Sequence, residues 1–201
     1  ILKVIISKYY ASIMKKKIII TGGLGYIGSE LCKLYSGVSW HHKIIVIDNR
    51  FISERVNQIR NWNMEFIQGD ILDKNLIKEH FTDADVVHHL AGVTDVPRTK
   101  SESSLDQDKK IKEVGEKGTQ NILDVISDDC KIIFPSTHVV YEGISEIKTE
   151  IKENELTKPI LSYSSSKAIN ENQLKRSRKN YIILRLGSVY GYSTDSMRID
   201  I

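Results

Sequence analysis

The sequence predicts an α/β fold built on a doubly wound parallel sheet, and three observations carry that prediction. Short β-branched segments at 17–21, 43–48, 64–68, 85–90, 131–136 and 181–186 alternate with segments of helical spacing, the pattern of parallel strands joined by crossover helices. A glycine run, Thr21-Gly22-Gly23-Leu24-Gly25-Tyr26-Ile27-Gly28-Ser29, falls where the first strand should turn into a helix. Beyond it, Asp48 closes the second strand.

The first strand, Lys17-Ile18-Ile19-Ile20, lacks polar alternation and is read as buried on both faces. The turn that follows must bring something close to the backbone, because three glycines remove the side chains that would stand in the way. A helix N-terminus offers unpaired N–H groups and a positive dipole end, which together favour an anion. Gly22 is assigned the tight turn, Gly25 the approach of a pyrophosphate to the backbone, and Gly28 the close packing of the helix on the sheet. Tyr26 and Ile27 fall inside the same grip.

The second strand, Lys43-Ile44-Ile45-Val46-Ile47-Asp48, ends on a carboxylate suited to accept both hydroxyls of an adenosine ribose. Such a carboxylate repels a 2′-phosphate, which favours NAD over NADP. Arg50 could pair with that phosphate, and Asp48 with Asn49 could also simply open a turn. The third strand leads into Gly69-Asp70, which taken alone reads as an ordinary turn.

The fourth strand carries His88 and His89, whose side chains should point to opposite faces, so no shared metal site is expected. The loop from Val93 to Leu105 leaves that strand at its C-terminal end, the edge where such sheets bind ligands. Thr94, Asp95 and Arg98 are therefore candidate substrate contacts, with a solvated loop as the other reading. The longest helix is expected from about Asp106 to Ser127, with Ile111, Val114, Ile122, Val125 and Ile126 in its apolar stripe. Gly115 and Gly118 interrupt it at a cost of about 1 kcal/mol each, so the helix either packs closely there or bends.

The fifth strand ends in Pro135-Ser136-Thr137-His138, and Tyr163-Ser164-Ser165-Ser166-Lys167 opens a later helix. Tyr163 and Lys167, four apart, share one face. A neighbouring ammonium favours the tyrosinate of a phenol that otherwise titrates near 10, so Tyr163 can act as a general base. A hydroxyl from Thr137 or Ser136 can bond the same substrate oxygen and orient it for hydride transfer.

Composition sets the remaining bounds. A chain of 201 residues suits one domain with a sizeable core. The net charge of +3, from 29 basic and 26 acidic residues, is spread along the chain and leaves no nucleic-acid footprint. The densest basic cluster, Lys175 to Lys179, reads as a solvated helix end. No apolar stretch nears the roughly 20 residues of a membrane span. Two distant cysteines, Cys32 and Cys130, fit a reducing, cytoplasmic setting. Ile1 to Ile13 precede Met14 and are expected to be a non-native or peripheral extension to a domain running from residue 14 to 201.

From Lys17 to about Tyr192 the chain resembles the extended short-chain dehydrogenase/reductases of the NAD-dependent epimerase/dehydratase family. The resemblance rests on ordered stretches: Thr21–Gly28, Asp48-Asn49, Gly69-Asp70-Ile71, His89-Leu90-Ala91-Gly92, Gly118-Thr119-Gln120-Asn121, Ser136-Thr137, Tyr163–Lys167, and Leu184 through Gly191. It implies a Rossmann fold with Asp70 and Ile71 against the adenine and Leu90, Ala91 and Gly92 along the cofactor cleft. It further implies Lys167 at the nicotinamide ribose, Thr137 and Tyr163 in the chemistry, and a homodimer.

Departures from the family pattern narrow the reaction. Dehydratases of the family carry an Asp-Glu pair after the catalytic Thr, where this chain has His138 and Val139. Valine transfers no proton, so the resemblance implies NAD-dependent epimerisation of a nucleotide sugar through a transient keto sugar. Glu142 before Gly143 is similar to keto-sugar reductases, which keeps NAD(P)H-dependent reduction as the alternative. A non-catalytic NAD-binding or redox-sensing protein is the third reading. His138 is a candidate proton donor or a structural hydrogen-bonder. Gly115 and Ser188 stand where the family often has Asn, so contacts near Ser188 to sugar or cofactor should differ. The family continues well past the position of Ile201, and a C-terminal substrate lobe largely missing from this chain is expected.

Overall fold

A computed structural model describes residues 15–94, 102–146 and 150–191. Residues 1–13, Met14, Asp95, Pro97 and Arg98 lie outside the described residues. The elements run β1 (Lys17–Thr21), α1 (Tyr26–Ser36), β2 (Lys43–Asp48), α2 (Ser53–Asn61), β3 (Glu65–Gln68), α3 (Lys74–Phe81), β4 (Val86–His89) and α4 (Leu105–Lys112). A π-helical turn (Glu113–Lys117), α5 (Gly118–Leu123), β5 (Lys131–Thr137), a 3₁₀ turn (His138–Tyr141), α6 (Ser162–Ser177) and β6 (Asn180–Leu186) follow. All six predicted strands are present within a residue or so of their expected bounds.

The strands form one parallel sheet in the order β3-β2-β1-β4-β5-β6. The order reverses between β1 and β4, and that switch point opens a crevice at the strands' C-terminal ends. Successive residues of each strand feed opposite layers. Ile18, Ile20, Ile44 and Val46 pack with Cys32, Val56 and Ile59 on the α1–α2 side. Ile19, Ile45, Ile47, Val87, Ile132 and Phe134 pack with Ile77, Phe81, Ile122 and Leu174 on the other. Each fully buried Ile or Phe contributes about 1.5–3 kcal/mol, so the two layers lock the register that positions the crevice.

The expected long helix is a nearly continuous helical run, with α4 passing through the π turn into α5. Of the two alternatives posed by its glycines, close packing is present. A Cβ on Gly115 would lie 2.3 Å from Ser166 Oγ, and one on Gly118 would lie 2.3 Å from Ile71 Cδ1, so both sites are close contacts. The helix widens into the π turn at the same place. Gly115 O accepts from Asn170 Nδ2 at 3.0 Å, a bond that ties the π turn to α6. Among the described residues no helix is long and apolar enough to cross a membrane.

Candidate active site

The glycine run takes the predicted form. Gly22 has φ +68° and a Cβ there would sit 2.8 Å from Ala91 N, so only glycine suits this turn. A Cβ on Gly28 would meet Gly22 O at 2.3 Å, which fixes how closely α1 packs on the loop. The helix begins at Tyr26 with Gly25 as its N-cap, no side chain caps it, and no acidic residue stands in its first turn. By contrast, Asp73 caps α3 and Ser104 caps α4 through side-chain oxygens. The first-turn amides of α1 and its positive dipole end therefore face the crevice without an internal anion, the donor set a pyrophosphate requires.

Asp48 is buried beside this loop. Its Oδ2 accepts from Leu24 N at 3.0 Å and its Oδ1 from Arg50 N at 3.0 Å, so the carboxylate ties β2 to the glycine turn. The Arg50 guanidinium also lies on it, Nε at 3.2 Å from Oδ1 and Nη2 at 3.4 Å from Oδ2. Asn49 Nδ2 donates to Asp70 Oδ2 at 3.2 Å, and Asp70 Oδ1 accepts from Leu72 N at 2.9 Å. Asn121 Nδ2 donates to Ile71 O at 3.1 Å, holding the same loop from α5.

His89 closes β4 between two threonines, its Nδ1 3.0 Å from Thr21 Oγ1 and its Nε2 3.0 Å from Thr119 Oγ1. Thr21 Oγ1 also accepts from Ala91 N at 3.1 Å, which sets the course of Leu90, Ala91 and Gly92 along the crevice. Burial, with the nearby Lys167 charge adding to it, holds the His89 imidazole down to about 3. His88 points the other way, to Tyr35 OH at 2.7 Å. The two histidines are on opposite faces as their spacing implied.

At the far end of the crevice stand Thr137, Tyr163 and Lys167. Thr137 ends β5 and its Oγ1 accepts from Val139 N at 3.3 Å, leaving its proton to donate. Tyr163 and Lys167 occupy the first two turns of α6. Lys167 Nζ donates to Pro135 O at 2.8 Å and lies 4.4 Å from the Phe134 ring centroid and 5.9 Å from that of Tyr163. Burial pulls this ammonium down to about 8.

The helix carrying these groups is anchored twice. Glu142 Oε1 accepts from Ile160 N at 2.6 Å, Leu161 N at 2.7 Å and the Ser164 hydroxyl, holding the segment that leads into α6. Burial would raise the Glu142 carboxyl, but these bonds outweigh it and hold it below its usual range. Two turns past Tyr163, buried Glu171 accepts from Ser136 Oγ at 2.7 Å and from Arg185 Nε at 2.9 Å and Nη2 at 2.6 Å. Tyr163, Lys167, Glu171 and Lys175 thus recur every fourth residue, one stripe that runs from the crevice past buried Glu171 to exposed Lys175.

One cleft of about 670 Å³ unites these parts. It is lined by Gly22, Gly25, Tyr26, Ile27, Gly28, Asp48, Asn49, Asp70, Ile71, Leu90, Ala91 and Gly92 at the glycine-loop side, and by Thr94, Ser136, Thr137, Tyr163, Lys167 and Ser188 beyond. The Ser136 hydroxyl is bound to Glu171 within that wall. His138 is exposed and does not line the cleft; its Nδ1 is 3.2 Å from Leu186 O, the arrangement of a structural hydrogen-bonder. Asp95 falls outside the described residues. Lys110 of α4 and Val114 of the π turn also line the cleft; Val114 read only as part of an apolar stripe, and Lys110 carried no signal in the sequence. Glu171 and Arg185, 14 residues apart, likewise had no readable spacing.

Residues 18–200 match the model of the NAD dependent epimerase/dehydratase family. The chain belongs to that family. Among curated epimerase/dehydratase relatives, a dTDP-D-glucose 4,6-dehydratase of Dictyostelium discoideum is 32% identical, covering 88% of this chain and 44% of its own length. A putative UDP-glucose 4-epimerase of Methanocaldococcus jannaschii is 31% identical, covering 89% and 57%. A solved UDP-glucuronic acid 4-epimerase from Bacillus cereus in complex with NAD superposes with a TM-score of 0.71 at 27% identity, covering 87% of this chain and 57% of that one. A UDP-glucose 4-epimerase from Brucella ovis in complex with NAD gives 0.69 at 28%, covering 85% and 51%. The chain spans about half the length of the relatives it matches.

Proposed function

We propose that this chain is the cofactor-binding and catalytic part of an NAD-dependent nucleotide-sugar epimerase. The observation that carries the reading is the single cleft with an uncapped helix N-terminus and Asp48 at one side and Thr137, Tyr163 and Lys167 at the other. The residues fit NAD: the α1 amides and the cradle at Gly25 would hold the pyrophosphate, Asp48 the adenosine ribose, Asp70 and Ile71 the adenine side, and Lys167 the nicotinamide ribose. When bound, NAD supplies a hydride acceptor that can return the hydride to the sugar.

Tyr163 takes the proton of the sugar hydroxyl, and the Lys167 charge beside its ring stabilises the phenolate. Thr137 donates to the same oxygen and holds the carbon in line for hydride loss. Once the keto sugar has turned over and the hydride is back on its opposite face, which inverts the carbon, Tyr163 returns the proton to the oxygen. Val139 follows His138 with no proton to give, and His138 is bound to Leu186 O outside the cleft, which supports epimerisation over dehydration. Glu142 before Gly143 supports keto-sugar reduction as the second reading, and net consumption of NAD(P)H during turnover would select it.

The same proposal includes a homodimer through the α4–α5 run and α6, with exposed Ile169 on the outer side of α6, and a cytoplasmic setting suited to two buried free thiols. The test is Tyr163→Phe in a protein carrying its full substrate lobe. Turnover should fall by at least about 10³-fold while NAD affinity is kept. Unchanged turnover overturns the assignment.

A further inference from the structure

The adenosine end of the cleft carries a feature that NAD binding alone does not call for. A carboxylate offers about four lone-pair sites. All four on Asp48 are occupied: Oδ1 accepts from Arg50 N and Arg50 Nε, and Oδ2 accepts from Leu24 N and Arg50 Nη2. Two of these donors are backbone amides that fix the loop, so a ribose diol can reach Asp48 only by displacing the guanidinium. The Arg50 side chain is free to move, being 54% exposed, whereas that of Asp48 is only 4% exposed.

A displaced guanidinium remains at the ribose, tethered two residues from the carboxylate. Arg55, on α2, donates to Leu24 O and holds the glycine loop from outside the cleft lining. The nearest cleft carboxylate beyond Asp48, that of Asp70, is held by Asn49 Nδ2 and Leu72 N. The repulsion by which Asp48 would exclude a 2′-phosphate is therefore offset by Arg50. A guanidinium fork matches phosphate geometry in two parallel bonds. If Arg50 turns to a phosphate, Asp48 loses its counter-charge but keeps both backbone donors, so its carboxylate stays hydrogen-bonded.

We infer that Arg50 is a specificity-determining side chain that moves between Asp48 and the adenosine 2′-position, so that the site accepts NADP as well as NAD. The inference rests on the dinucleotide reading of the cleft. Isothermal titration of the full 201-residue chain with NAD⁺ and NADP⁺ tests it, with Arg50→Leu and Arg50→Lys alongside and thermal melting to verify that each variant is folded. The wild type should bind NADP⁺ within about tenfold of NAD⁺, and Arg50→Leu should weaken NADP⁺ by at least about tenfold while leaving NAD⁺ unchanged or tighter. Arg50→Lys, which keeps the charge without the fork, should fall between them. Binding of NAD⁺ with NADP⁺ more than about a hundredfold weaker in the wild type, or equal weakening of both by Arg50→Leu, overturns the inference and leaves the NAD site standing. Failure to bind either dinucleotide overturns the site itself.

Discussion

Replacing Glu171 with Ala should be the most damaging single change outside the cleft. The Glu171 side chain is 2% exposed and that of its partner Arg185 is 13% exposed, so the pair is largely removed from water. Burial would raise the Glu171 carboxyl, but bonds from Arg185 and Ser136 outweigh it and hold it below its usual range. Removing the carboxylate leaves a guanidinium with Tyr141 OH and Glu153 O but no counter-charge, and strips Ser136 of its acceptor.

Breaking a buried pair in this way costs about 3–5 kcal/mol. Against a total stability of roughly 5–15 kcal/mol that is about a fifth or more. With a urea slope of about 2 kcal/mol/M, the midpoint should fall by about 1.5–2.5 M, read by circular dichroism. Glu171→Leu combined with Arg185→Met should recover most of the loss, because neither charge is then stranded. A loss below about 1 kcal/mol for Glu171→Ala, or strict additivity in the double variant, would refute the account of a desolvated, mutually dependent pair.

Acid should act through His89, whose folded value of about 3 lies far below the 6.5 of a free imidazole. The group leaves stability untouched above about pH 6.5 and subtracts from it below, by about 2 kcal/mol at pH 5, so urea midpoints for His89→Gln should fall less steeply between pH 7 and 5 than those of the wild type. An equal slope would remove His89 from the explanation. Gly28→Ala places a Cβ against the backbone of Gly22 and Gly23, and titration calorimetry should find NAD⁺ binding weakened by at least about a hundredfold. Glu142→Ala removes the acceptor that holds the entry to α6 and should cost about 1–2 kcal/mol in denaturant melts, with Glu142→Gln losing less because one acceptor oxygen remains. Indistinguishable Ala and Gln variants would show that these bonds are not what Glu142 contributes.

The strands and the glycine turn were legible because both are local statements: β-branched runs specify extended, doubly buried backbone, and Gly22 and Gly28 answer to atoms only a few residues away or one strand over. The Tyr163–Lys167 pair was legible because helical spacing alone puts both on one face. Other features depend on distant partners. The π turn at Glu113–Lys117 exists against Ser166 and Asn170, more than 50 residues on, and no propensity within α4 announces it. His138 read as a candidate proton donor or a structural hydrogen-bonder, and the 3₁₀ turn that begins there leaves its ring on the carbonyl of Leu186, the second arrangement. Asp48 was legible as a carboxylate at the right place, whereas the saturation of its acceptor sites by Arg50 depended on side-chain geometry.

The four-residue stripe on α6 makes the length of that helix a conserved quantity in the engineering sense. Inserting or deleting one residue between Tyr163 and Glu171 would turn one end relative to the other by about 100°. The phenol would leave the cleft, or the carboxylate would leave Arg185, and no rotamer change restores both. Changes in loop length can be absorbed elsewhere in the molecule, but α6 is phase-locked. The reactive end and the load on the core are set by a single screw axis, so a library that varies this chain should hold residues 163–175 at fixed spacing and place its insertions in the loops around the cleft.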